Sequence, residues 1–187
     1  MQLVKAQKKD YKEVFDLYKK SFPSLEKKPL WLIKKGLKST YEIYIVRDED
    51  KLAGFMISVR NDSRNVVMLD YLAVNPEIRS KGYGSFILKE IAKVYEGKTL
   101  FLACEKLDDE AENAEQRKKR LAFYERNGWK NTGLLTKGSS GEMYLLSFSP
   151  ITREDYLETQ RIACGNLLFK LGKLDATYNS SFDSFRS

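Results

Sequence analysis

Residues 74–86 read VNPEIRSKGYGSF, between a strand-like run, MLDYLAV, and a helix-like run, FILKEIAKVY. Two cations, Arg79 and Lys81, and two glycines, Gly82 and Gly84, stand where strand becomes helix. Glycine lets backbone approach a ligand closely and tolerates positive φ. A helix start presents unpaired N–H groups and the positive end of its dipole. The chemistry of this spacing is anion binding, suited to a pyrophosphate. Spacing alone leaves a second reading open, a turn whose glycines are there for steric reasons. The loop is not a P-loop, because no Gly-Lys-Ser/Thr follows. It is not the dinucleotide fingerprint, because Phe86 and Ile87 occupy the region of the third glycine.

The other groups that can do chemistry are few. Asp70 interrupts an otherwise apolar strand, and Glu105 ends the short apolar run TLFLACE. Histidine is absent, which excludes a histidine triad, a histidine metal site and an imidazole base. Two cysteines, Cys104 and Cys164, are too few for a disulfide framework, and without histidine a structural zinc site is not expected. No metal is predicted. The net charge of +7 and pI near 9.2 suit anionic partners, or simply a solvated basic surface. A nucleic-acid reading would rest on that charge alone, since no reading motif accompanies it. There is no apolar run of about 18 residues and no secretory leader, so a cytoplasmic protein without a membrane span is expected.

The 187 residues suit one domain with a terminal addition. MQLVKAQ reads as a first strand. Asp10, with Glu13 three residues on, reads as a helix cap. SLEKKPLWLIKKGL reads as a second helical segment broken near Pro29. YEIYIVRDEDKLAGFMISV reads as a hairpin, VVMLDYLAV as a central strand, Phe86–Tyr95 as a helix and TLFLACE as a buried strand. A long charged helix over DDEAENAEQRKKRLAFYERNG turns Ala114, Arg117, Leu121 and Tyr124 inward, and a last hairpin turns at KGSSG. With 42% hydrophobic residues the chain can build a core, as a mixed α/β sheet flanked by helices. Residues 150–187 add a helix capped by Thr152 and Asp155, with Leu157, Cys164, Leu168 and Leu171 along one face. That helix packs on the domain edge or serves as a dimer contact or lid, and the tail ATYNSSFDSFRS carries no regular period.

Arg79-Ser80-Lys81-Gly82-Tyr83-Gly84 after YLAVNPE resembles motif A of the GCN5-related N-acetyltransferases, the GNAT family. RLAFYERNGW, with Phe123, Tyr124, Gly128 and Trp129, resembles its motif B, and the order of elements matches over residues 1 to 148. The resemblance implies a GNAT (acyl-CoA N-acyltransferase) fold, a mixed and mostly antiparallel sheet, in a domain of residues 1–149 with the extension of residues 150–187 packing on it. It implies acetyl-CoA as cosubstrate. Backbone groups of Arg79, Ser80, Lys81, Gly82, Tyr83, Gly84 and Ser85 would hold its pyrophosphate, and Leu72, Ala73 and Val74 would pair with its pantetheine arm where two strands splay. Where many members carry Asn and Ala, seven and four residues before the motif B tyrosine, this chain has Arg117 and Arg120. Those arginines reach cofactor phosphate or pair with Asp109, Glu110, Glu112 or Glu115 along the helix.

By the same resemblance Tyr124 supplies a proton to the departing thiolate, and the Val74 N–H polarises the thioester carbonyl. Glu105, at a strand end bordering the acceptor site, is the first candidate base and Asp70 the second. A structural role for Asp70 is the alternative. Cys104 reads as a small core residue rather than an acyl carrier. The implied activity is direct N-acetyl transfer to a primary amine of a small molecule or protein, with a non-catalytic CoA-binding sensor or docking module as the alternative.

Overall fold

The computed structural model describes residues 1–78, 81–138, 141–172 and 174–185. Eight strands form one sheet in the order β1-β2-β3-β4-β5-β7-β6-β8. The chain enters through β1 (Leu3–Lys5), α1 (Tyr11–Ser21) and α2 (Leu30–Gly36), then forms the meander β2 (Tyr41–Asp48), β3 (Lys51–Asn61) and β4 (Val66–Val74). Helix α3 (Tyr83–Val94) crosses to β5 (Thr99–Glu105), and α4 (Ala114–Arg126) leads into β6 (Lys130–Gly138) and β7 (Gly141–Ser147). Helix α5 (Arg153–Leu171) and β8 (Ala176–Asp183) complete the chain. Every pairing is antiparallel except that of β4 with β5.

The central strands are apolar on both faces because helices cover both. Val66, Met68, Tyr71 and Ala73 of β4 join a core with α1, α2 and α5. Val67, Leu69, Leu72 and Val74 of the same strand face α3 and α4. The alternation slips once. Ile57 of β3 pairs with Tyr71 and Ser58 with Leu69, which leaves Asp70 as the extra residue of a β-bulge. A bulge bends its strand and re-aims a side chain.

Several expectations are corrected. Asp10 does not cap α1. It closes a capping box with Gln7 one turn earlier and also binds Arg47. The segment before Pro29 is not helical, so α2 starts at Leu30, and α4 starts only at Ala114. On α4 none of the inward residues is fully buried. The tail is a strand, not irregular: β8 pairs with β6 through Leu134–Tyr178 and Leu135–Thr177, gaining order from the neighbouring edge that its own sequence does not encode. Thr152 and Asp155 do cap α5. The helix lies across the sheet face rather than its edge, burying Tyr156, Thr159 and Ala163. At Gly165 (φ 75°, ψ 156°) it breaks, in a conformation open essentially only to glycine. The Leu171 side chain, and Ser139 and Ser140 of the last hairpin turn, lie outside what is described.

Candidate active site

The site begins where β4 and β5 part. Their pairing covers Val66–Leu69 against Thr99–Leu102 and stops there. Beyond it β4 stays paired with β3, and β5 with β7 as far as Glu105, so the two inner edges diverge as a fork. The Asn75 N–H donates toward β3, to Ala53 O at 2.8 Å. By strand alternation the N–H groups of Leu72 and Val74 therefore face the fork. Backbone polar groups left without a strand partner need water or a ligand.

The α3 N-terminus stands at the mouth of that fork. Gly82 caps the helix in the left-handed region (φ 79°, ψ 9°), and a Cβ there would meet nothing within 4 Å. The first intrahelical bond runs from Phe86 N–H to Gly82 O, so the amides of Tyr83, Gly84 and Ser85 precede the ladder. At Gly84 the backbone passes close to α4: a Cβ there would lie 3.1 Å from the Phe123 ring, tighter than ordinary contact. Tyr83 is buried, and Lys81 turns to Asp48 at 2.8 Å, so its charge is partly engaged. Arg79 and Ser80 lie outside the described residues.

From Gly82–Ser85 a cavity of about 1140 Å³ runs along the fork, past Leu72, Val74, Phe123 and Tyr124, to Tyr71, Tyr156 and Cys164 on the α5 face. Tyr124 is half-buried on α4, its ring tilted against Phe123 and edge-on to Trp129. Burial raises the pKa of its phenol well above the ordinary value, with a smaller contribution from Cys104, so the proton is firmly held. Burial also pushes the Cys104 thiol up to about 11, which suits a core residue and not a nucleophile.

The two carboxylates differ in their partners. Glu105, 4% exposed, accepts from Asn113 Nδ2 at 3.0 Å and is ion-paired with Arg120 and, at 3.7 Å, with Arg117. Arg117 also donates to Asn113 Oδ1 (2.7 Å) and to Lys106 O (3.0 Å). These arginines pair with none of the four acidic residues expected of them, Asp109, Glu110, Glu112 and Glu115. They tie the end of β5 to the start of α4. Asp70 accepts a bifurcated pair of bonds from Lys28 Nζ, 2.7 Å to each oxygen.

The structure thus brings Leu72, Ala73, Val74, Gly82–Ser85, Tyr124, Glu105 and Asp70 to one cavity wall. Sequence reasoning did not single out Lys28, Asn113 or Tyr71. Nothing local marks them, because their significance lies in tertiary pairing.

The model of the acetyltransferase (GNAT) family matches residues 11–129. Among solved structures, a protein described as a GNAT-family acetyltransferase from Bacteroides thetaiotaomicron is 21% identical. The match covers 90% of this chain and 99% of that one, at a TM-score of 0.69. A Bacillus subtilis acetyltransferase in complex with CoA is 16% identical over 80% of this chain and 99% of its own, at 0.60. An aminoglycoside 6′-N-acetyltransferase from Enterococcus faecium is 16% identical over 81% and 99%, also at 0.60. Comparison with curated proteins gives no match. At such identities the likeness to solved structures establishes the fold alone.

Proposed function

Because this chain belongs to the acetyltransferase (GNAT) family, we propose that it transfers an acetyl group from acetyl-CoA directly to a primary amine. The observation that carries the reading is the fork itself, a strand edge whose amides have no strand partner among the described residues and that ends at a helix N-terminus. An amide-bearing arm attached to a pyrophosphate matches both parts. The amides of Tyr83 to Ser85 would hold the pyrophosphate with Lys81 beside them. Leu72 and Val74 would pair with the arm as an added strand. When bound, acetyl-CoA supplies the activated acyl group.

Within that frame the Val74 N–H would hold the arm, and the Leu72 N–H, the next fork-facing amide toward Asp70, would polarise the thioester carbonyl in place of the Val74 N–H that the resemblance implied. Tyr124 keeps its phenol proton at neutral pH and would give it to the thiolate as the carbon–sulfur bond breaks. Asp70 stands at the fork and would take the proton leaving the amine. Glu105 is committed to Arg117, Arg120 and Asn113, and its part would be to fix α4, and so Tyr124, against β5. An acceptor would enter from the α5 face, past Tyr71 and Tyr156.

Calorimetric titration with acetyl-CoA, followed by an amine panel monitored for free thiol, tests the reading. Aminoglycosides enter the panel because a structural relative acetylates them, beside polyamines, amino acids and peptide amines. Binding with thiol release on one amine class supports acetyl transfer. Binding without release on any class favours a CoA-holding module. Absence of binding rejects the assignment of the fork.

A further inference from the structure

The α5 face of the fork already holds a primary amine. Lys28, between α1 and α2, presents its Nζ to Asp70, and only 16% of its side chain is exposed. Its backbone is pinned in place. The Lys28 N–H donates to the Tyr71 hydroxyl at 3.0 Å, the Tyr71 hydroxyl donates to Glu26 O at 2.8 Å, and the Tyr18 hydroxyl donates to Lys28 O at 3.1 Å. The rings of Tyr18 and Tyr71 meet edge to face, 4.8 Å apart. Lysines covered to this extent are uncommon, and one is ordinarily explained by its carboxylate partner. This pair also stands at a reactive position. Asp70 is the first β4 residue beyond the last β4–β5 pair, Leu69 with Leu102. Lys28 and Asp70 line the same cavity as the α3 N-terminus and Tyr124. An arm that enters at Gly82–Ser85 and follows β4 back from Val74 ends at this point.

Resting on the acetyl-transfer reading above, we propose that Lys28 is itself an acetyl acceptor, modified within its own chain. Lys28 Nζ forms a bond to the acetyl carbonyl carbon, and the bond from that carbon to the coenzyme sulfur breaks. One ammonium proton passes to Asp70 and on to water, which frees the nitrogen lone pair. A second is lost from nitrogen after attack, and the sulfur leaves as thiol with a proton from Tyr124, which the solvent restores. The products are Nε-acetyl-lysine and free CoA. Acetylation removes the cation from Asp70 and leaves that carboxylate open to a second amine.

The test incubates the purified full chain with acetyl-CoA alone. Acetylation is followed by intact mass and peptide mapping, in parallel with calorimetric titration of acetyl-CoA. The expected result is one acetyl group per chain, on Lys28, gained ahead of far more exposed lysines such as Lys12, whose side chain is 91% exposed. The rate per chain stays constant on dilution, and K28R, which keeps a cation on Asp70, gains no acetyl group over the same time. Acetylation confined to exposed lysines, a per-chain rate that falls on dilution, or K28R modified as fast as the parent chain would overturn the proposal. Titrated binding with Lys28 unmodified overturns it while leaving the parent reading intact. No binding overturns both.

Discussion

A phenol and a carboxylate on facing elements divide the work at the residue scale. The Tyr124 hydroxyl has no hydrogen-bond partner among the described residues, and burial holds its proton on, so it is available to a ligand atom. Tyr124→Phe should lower kcat roughly a hundredfold while acetyl-CoA affinity changes little, as steady-state kinetics and calorimetry would read. Equal turnover would make the tyrosine a packing residue. Glu105 carries a different expectation. Glu105→Gln leaves Arg117 and Arg120 without their shared carboxylate, at a cost of about 2 kcal/mol in chemical denaturation. A variant with unchanged stability would contradict its role as the tie between β5 and α4. The legibility of these residues in the sequence was uneven. Tyr124 stood out through its motif. The partners of Glu105 did not, because the loop from Lys106 to Asn113 hides which cations return to it.

Among the elements, α5 owes its start to a cap that the sequence displayed, whereas α3 starts at Tyr83, three residues before the Phe86 expected of it, because Gly82 and not the apolar run sets its N-terminus. Gly82 holds a left-handed conformation in open space, so Gly82→Ala should cost only about 1 kcal/mol, from backbone strain. Gly82→Glu puts a carboxylate where the phosphate would sit and should abolish acetyl-CoA binding in calorimetry while the protein still melts cooperatively. Retained affinity would refute the cradle. At α5, Asp155 is pulled in two directions. Burial, the largest single influence, raises its pKa. The Thr152 N–H, Arg64 and the Thr152 hydroxyl together outweigh it and hold the carboxyl below its ordinary value. A group lowered in the fold adds stability above its unfolded pKa and loses it as pH falls through the folded one. Asp155→Asn should therefore destabilise at neutral pH, and the difference should shrink as pH drops below about 4. A gap that stays constant in thermal melts at pH 7 and pH 3 would exclude this linkage. Strands β4 and β5 were legible end to end because each is an apolar run bounded by turns. The bulge at Asp70 was not, since it arises from register against β3. Nor was β8, whose order comes from the edge of β6.

For the molecule as a whole, the extension after Pro150 is part of the core. Tyr41 Oη donates to Ala163 O at 2.9 Å, Asn61 Nδ2 donates to Thr159 Oγ1, and Thr136 Oγ1 bonds to Tyr156 Oη. A chain ending at residue 149 should bind a hydrophobic dye and lose its cooperative thermal transition. A soluble truncated chain that melts cooperatively would show the extension to be separable. The sequence announced this helix by its cap but not its place, because its buried stripe of Tyr156, Thr159 and Ala163 mixes polar and small residues with one aromatic. The short seam between β4 and β5 has a mechanical consequence. The sheet is two leaves, β1 to β4 and β5 to β8, stitched over the four pairs from Val66–Thr99 to Leu69–Leu102. Helix α5 spans both, held to β3 through Thr159 and to β6 through Tyr156. It is a brace across a hinge, and the gape of the fork is set as much by this strap as by the strands that form it.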